Sequence, residues 1–398
     1  MDILFFRPRD SKPSAVPGNR IVGYDFARAL ALMGMVVISF WELGGEADNA
    51  PAWMNIFVEI IMGRAAVAFV ILAGVGLSLL TRSAFSHKDA VFITAYHKNL
   101  LRKNLLRRAL FLFIIGMLNS RIWPWDILHF YAAYFVIGAF FVTGSNRRLC
   151  SAVLAAIIIF SAFMLVISFD RGEEWNAISP ADLRYLSGTI YHLLFCGLYP
   201  VFPWIGFLFI GIWLGRRDLR KRDFRKRILI ASIAAVIIAE GIAWIFFHKI
   251  IPMVNMAAIN NIFPWFMIDP WEPLPLFFLS GTGSAVILIS LCIIFTEKFR
   301  TAGWLRPLVA MGQSTLTLYV AHTLFADIII RIMELSEMEY PLFAVWGTAC
   351  FFIISVIFCY RWNKRYQKGP LELLMRRFLI FNTEYGTNHS AAFSMKSQ

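Results

Sequence analysis

The chain has 398 residues, of which 59% are apolar and only 16% charged, with a mean hydropathy of +0.65. A soluble domain is about 45–50% apolar and about 25% charged, so this composition excludes a soluble enzyme, a disordered chain and a fibre. The net charge of +13 is a topology signal rather than a nucleic-acid footprint, as its placement along the chain shows.

Residues 1–20 are polar, with Pro8, Pro13, Pro17 and Gly18, and read as a cytoplasmic N-terminus. No short apolar core with a small-residue cleavage site precedes the first long apolar run, so no cleaved signal peptide is expected. Ten apolar segments then follow: 21–41, 56–80, 105–119, 127–143, 149–169, 193–214, 228–247, 274–295, 308–330 and 342–360. A spanning helix needs ~20 mostly apolar residues, and the third and fourth segments fall short of that. The ten-residue alternation of a membrane β-barrel is missing. The expected fold is an all-α membrane protein, a polytopic bundle of about ten transmembrane helices over residues 21–360. The tail, 361–398, carries an amphipathic stretch (PLELLMRRFLIF, 370–381) suited to the inner membrane surface.

Loop charge orients the bundle. Of the 38 Lys and Arg, 31 lie at the N-terminus, in or beside every second connection, and in the tail. The intervening connections hold 5, and Arg28 and Arg64 lie inside helices. Cytoplasmic loops carry the Lys/Arg excess, so both termini are expected inside and the number of crossings even. The outer connections hold 13 acidic residues, among them Asp170, Glu173, Glu174 and Asp182. The five cysteines fall in apolar runs without C-x-x-C spacing and read as buried apolar residues, neither disulfides nor metal ligands. Gly211 and Gly215 form a G-x-x-x-G, and Ser280 and Ser284 frame a run of small residues. Both patterns read as close helix packing.

Ionisable groups within a bilayer are costly and face the bundle interior. Asp25 and Arg28 are three residues apart on one helix face near the inner surface, either as a mutual ion pair or facing a cytosolic ligand. Glu59 lies near the outer end of the second segment. Arg64, about two turns deeper, needs an acidic or carbonyl partner or a polar cavity. Asp126 and His129 open the fourth segment. The carboxylate suits a helix cap, and it could also orient the imidazole as a general base. Thr315, Tyr319 and His322 form one polar stripe on the ninth segment, where His322 reads as a bonded core histidine or as a second base. Asp327 points elsewhere. Glu240 and His192 are further polar positions. No Walker loop, G-x-S-x-G elbow, H-E-x-x-H or Cys/His ligand spacing occurs, so no metal is expected.

Five stretches resemble the YeiB-like family of bacterial inner-membrane proteins of unknown function and the related heparan-alpha-glucosaminide N-acetyltransferase catalytic family. They are YDFARALA (24–31), Gly63-Arg64 followed by FVILAGVGLSLL, Asp126-Ile-Leu-His129, YPVFPWIGFLFIGIWLGR (199–216), and GQSTLTLYVAH (312–322) with the later KGPLELLMRR (368–377). The resemblance implies a multi-pass protein of the bacterial inner membrane, N-in and C-in. It would move an acyl group from cytosolic acyl-CoA, such as acetyl-CoA, to an extracytoplasmic acceptor such as a glycan. One departure stands out: where many members of the wider superfamily carry a histidine near the outer end of the first helix, this chain reads Ser39-Phe40-Trp41.

On this reading His129 or His322 is the base and Asp126 orients His129. Arg64 stabilises developing charge, and Arg28 with Asp25 faces the CoA. The partners are the lipid bilayer, the acyl-CoA and the acceptor, with no nucleic acid, and oligomeric state is left open. The alternatives are a transporter or lipid flippase, or a non-catalytic membrane protein of envelope assembly.

Overall fold

The computed structural model describes residues 21–43, 50–85, 95–170, 186–254, 262–333 and 340–379. The expected N-terminal segment 1–20, the acidic residues Glu173, Glu174 and Asp182, and the end of the tail lie outside them. Among the described residues every regular element is a helix. In chain order these are α1 (Val22–Leu43), α2 (Ala52–Ile61), α3 (Arg64–Phe85), α4 (Ala95–Asn119), α5 (Leu128–Phe141), α6 (Asn146–Asp170), α7 (Leu186–Tyr191), α8 (Val201–Gly215), α9 (Arg222–Ile245), α10 (Pro275–Lys298), α11 (Leu305–Gln313), α12 (Thr315–Met333), α13 (Tyr340–Asn363) and α14 (370–379).

Six described spans are long and apolar enough to cross a bilayer, seven if the pair 188–196 and 201–215, bent by 51°, counts as one. The remaining segments of the expected ten fall on α4, which begins among basic residues, on the 14-residue α5, and on the α11–α12 pair. Large apolar side chains point outward along the spans, as at Ile158 (63% exposed) and Ile237 (65%). Such faces suit hydrocarbon, because a helix that is apolar all round has no aqueous side.

Three segments expected to be continuous are broken, each for a local reason. The second breaks at Gly63, whose φ of +67° lies in the left-handed region that only glycine adopts cheaply. A Cβ there would also overlap Pro270. The sixth opens with a π-helical turn, His192–Cys196, before Pro200, which has no amide hydrogen to continue a ladder. The ninth breaks at Ser314, where Gly312 lies so close to Asp25 that a Cβ would overlap the Asp25 carbonyl.

Small residues set the tightest crossings, as expected. A Cβ on Gly211 would overlap the Ile71 carbonyl, and one on Gly215 would lie 2.7 Å from the Ser78 side chain, so α8 rides directly on α3. Trp204, Phe207 and Phe277 fill the space beside this contact and are fully buried. None of the five cysteines forms a disulfide. Cys196, Cys292 and Cys359 are buried as expected, whereas Cys150 and Cys350 are exposed, because they sit on the outward faces of α6 and α13.

One end of the bundle gathers Asp25, Arg216, Arg225 and the start of α12. Here Arg216 bonds the Asn146 side chain at 2.7 Å and Arg225 grips Glu297 through two bonds at 2.7 and 2.8 Å. We call this the basic end. The opposite end holds Glu42, Trp123, Trp125, Tyr199 and Trp271 around a cavity.

Candidate functional site

The α4–α5 corner builds the first half of the site. Asp126 is 1% exposed. Its carboxylate accepts from Asn119 Nδ2 at 2.8 Å and from the amides of Leu128 at 2.9 Å and His129 at 3.3 Å. These amides open α5, so Asp126 acts as the cap that its place in the sequence suggests. The same oxygen, Oδ2, lies 3.2 Å from His129 Nδ1. A carboxylate only accepts, so Nδ1 carries the hydrogen, and in the neutral ring Nε2 keeps its lone pair. Cap and orienting group are therefore one residue. His192, on the π turn, packs through Phe130, with ring centroids 6.0 Å apart.

Helix α12 supplies the second half. The Thr323 hydroxyl donates to Asn119 Oδ1 at 2.8 Å, and the Ile127 amide donates to the Tyr319 hydroxyl at 3.1 Å. Asn119 thereby holds Asp126 with one end of its amide and α12 with the other. Four residues on from Tyr319 along the helix, Thr323 shares a face with it, and His322 lies between them. His322 is 1% exposed, and its Nδ1 donates to the Tyr319 carbonyl. Its Nε2 lies 3.4 Å from Ser39 Oγ. Trp123 and Tyr319 meet the imidazole edge-on, with centroids 6.1 and 4.9 Å away. A buried ring fixed on three sides keeps one tautomer and one orientation.

Ser39, Glu42, Trp123, Trp125, Tyr199, Trp271 and Tyr319 line a cavity of about 60 Å³ at this end of the bundle. Trp271 is placed by Asp269, whose Oδ1 accepts from the Trp271 amide at 2.8 Å. Burial pushes the Asp269 carboxyl above its usual range, and that hydrogen bond opposes the shift.

The structure thus brings together Asp126, His129 and His322, and adds Ser39, Asn119 and Thr323. Arg64 and the Asp25–Arg28 pair stand apart from them. Arg64 opens α3 and turns to the flank of the bundle, where it donates to Glu240 Oε1 at 2.5 Å, to Ser280 Oγ at 3.4 Å and to the carbonyls of Glu59 and Ile60. Of the alternatives read from the sequence, the acidic and carbonyl partners are found there, whereas the groove beside Arg64 is lined mainly by apolar side chains such as Leu30, Ile60, Ile61 and Leu288. With Glu240 and Ser284, Arg64 lines this groove of about 510 Å³, bounded by α1, α2, α3, α9 and α10. Arg28 donates to Asp25 Oδ1 at 3.1 Å and to the Leu72 carbonyl at 3.4 Å, the mutual ion pair of the two readings left open. Asp327 pairs with Arg331 one turn on, away from His322.

Ser39, Asn119 and Thr323 carry no charge and lie in, or at the end of, apolar segments. Their one signal was polarity in an apolar run, which small-residue packing explains equally well. Among the described residues no group of three His, Cys, Asp or Glu side chains is arranged to hold a metal.

The site thus sets a buried carboxylate beside one imidazole, and at the cavity wall a serine hydroxyl beside a second, buried imidazole. Residues 20–251 match the family model described as heparan-alpha-glucosaminide N-acetyltransferase, catalytic. Residues 214–382 match the model of a protein family of unknown function, DUF418. No curated protein matches the chain. With the first match covering well over half of its length, the chain is a YeiB-like membrane protein that belongs to the heparan-alpha-glucosaminide N-acetyltransferase catalytic family.

Proposed function

We propose that the protein is a transmembrane acyltransferase that takes an acyl group, acetyl in the simplest case, from an acyl-CoA approaching at the basic end. The group passes to a hydroxyl or amine acceptor in the outer cavity. The observation that carries this reading is the pair of imidazoles, His129 held through Nδ1 by Asp126 and His322 held through Nδ1 by the Tyr319 carbonyl with its Nε2 on Ser39 Oγ, on helices joined through Asp126, Asn119 and Thr323. An imidazole can donate from one ring nitrogen while the other accepts, so it can take the acceptor proton and later return one. Asp126 holds His129 in the tautomer that leaves Nε2 free. The thioester carbon gains a bond to the acceptor oxygen or nitrogen, its bond to sulfur breaks, and the departing thiolate takes the proton back.

In this reading the chain crosses the inner membrane about ten times with both termini in the cytosol, so the basic end faces the donor. Arg28 and the basic run from Arg216 to Arg227 supply positive charge for the CoA phosphates. Arg28 is held by Asp25, so phosphate binding there would exchange one anion for another. Arg64 would reach developing charge only by leaving Glu240.

The test is binding of radiolabelled acetyl-CoA to the detergent-purified protein with unlabelled CoA as competitor. Saturable binding, weakened in Arg28→Ala, supports the reading. Absence of binding at millimolar ligand refutes it. A second reading, movement of a lipid substrate, draws on the flank groove that Arg64 and Glu240 line. It requires substrate movement without consumption of acyl-CoA.

A further inference from the structure

We propose that Ser39 is the nucleophile of the reaction and carries the acyl group as a covalent ester between donor and acceptor, with His322 as its base. The inference rests on the acyl-transfer reading above and adds a step to it.

Three observations lead to it. Ser39 Oγ lies 3.4 Å from His322 Nε2, a distance that is loose but usual for a nucleophile and its base before substrate arrives. The direction of the hydrogen bond follows from the other ring nitrogen. Nδ1 is bonded to the Tyr319 carbonyl, which can only accept, so Nε2 must receive the Ser39 hydrogen. The carbonyl thus takes the orienting place that a carboxylate fills in many nucleophile–base pairs.

The third observation is access. His322 is fully buried and is not part of the cavity wall, whereas Ser39 is. The imidazole meets the cavity through the serine hydroxyl. A buried base whose reach ends at a hydroxyl is placed to activate that hydroxyl. Ser39 also stands eleven residues beyond Arg28 on α1, a rise of about 16 Å towards the outer end. A phosphopantetheine arm covers such a span, and the acyl group would be handed over at the cavity that Ser39 lines.

The chemistry balances. Ser39 Oγ attacks the thioester carbon of the acyl-CoA while its proton passes to His322 Nε2. The carbon–sulfur bond breaks, and the CoA thiolate leaves with that proton. The acceptor hydroxyl or amine then attacks the serine ester, its proton goes to Nε2, the ester bond breaks, and the proton returns to Ser39 Oγ. His322 ends as it began.

The test incubates the purified full chain with acetyl-CoA labelled in the acetyl group, without acceptor, and measures reversible binding by competition with CoA in the same samples. The expected result is label that survives denaturation, is removed by alkaline hydroxylamine, and maps to the peptide containing Ser39. Label should fall to background in Ser39→Ala and His322→Asn. Ser39→Cys preserves size and nucleophile, so its label should persist and become removable by neutral hydroxylamine, as a thioester is. Competable binding without covalent label overturns the carrier role and leaves the acyltransferase reading standing, as does label that survives in Ser39→Ala. Absence of competable binding overturns both.

Discussion

Glu372 and Thr317 tie the tail to the helix that carries His322: the Thr317 hydroxyl donates to Glu372 Oε2 at 2.6 Å. Oε1 accepts from the Leu316 and Thr317 amides at 2.7 and 3.3 Å, and the Leu371 amide donates to Thr317 Oγ1 at 3.0 Å. The first four amides of a helix lack partners within it, and the helix dipole favours an anion there. A carboxylate from α14, more than fifty residues on, supplies what the local sequence of α12 does not.

Glu372→Ala is therefore expected to cost about 1–2 kcal/mol, the range of a lost N-cap, and Glu372→Gln less. Burial raises the Glu372 carboxyl above its usual range, against the pull of those hydrogen bonds. A raised carboxyl binds protons more readily in the folded state. Its contribution is thus fully present below its unfolded value, about 4.3, and is lost as pH rises through the folded one. Melting curves between pH 4 and pH 8 should show the difference between the wild type and Glu372→Gln shrinking or reversing as pH rises. A pH-independent difference would remove the assignment.

Asp126→Asn keeps the shape of the corner but removes the charge that holds His129 Nδ1–H. If His129 acts as a base, acyl transfer should fall by about 10²–10⁴ while the protein still folds. Asp126→Ala leaves buried donors without an acceptor, at about 1–3 kcal/mol for each group orphaned, and should fail to accumulate. Transfer rate and melting temperature, measured on the same preparations, separate the two effects.

Arg64→Met leaves Glu240 facing the groove without its cation, and Glu240→Met does the reverse. Breaking a buried pair from one side costs about 3–5 kcal/mol, and the half-exposed Glu240 side chain brings this down. The double variant Arg64→Met/Glu240→Met should recover most of the stability. Its activity then reads the other role: transfer restored along with stability makes Arg64 structural, and transfer still lost makes it part of the chemistry.

Gly312→Ala and Gly211→Ala each place a methyl on a neighbouring carbonyl, of Asp25 and Ile71 respectively. Overpacking of this kind costs about 1–3 kcal/mol, and both variants should melt earlier than the wild type. Gly241, inside α9, has nothing within 4 Å of a built Cβ. Gly241→Ala should be neutral or raise stability by up to about 1 kcal/mol, since alanine is the better helix former. A drop in Gly241→Ala comparable with the other two would remove packing as the cause.

The class of the protein and the positions of six apolar spans were legible because hydropathy acts over ~20 residues, a length on which composition averages cleanly. Asp126 and His129 were legible as a unit because three residues of helix bring them together without help from the rest of the chain. The same holds for Asp25 with Arg28. Glu240 was visible as a buried charge, and its partner Arg64 as another, but nothing local says that positions 176 residues apart face one groove.

By itself, then, the sequence determined an all-helical membrane protein, the small-residue crossings, the capped start of α5 and the histidines worth testing. All of these depend on neighbours within a turn or two, or on the average character of one segment. Only the tertiary structure decided that α3 begins afresh at Gly63 and that Glu372 caps α12. It also decided that Asn119 joins Asp126 to Thr323 and that Ser39 stands between His322 and the cavity. Each of these is a contact between helices. A single hydroxyl or amide in an apolar helix looks the same whether it packs quietly or meets an imidazole, and the difference lies in which helix the fold sets against it.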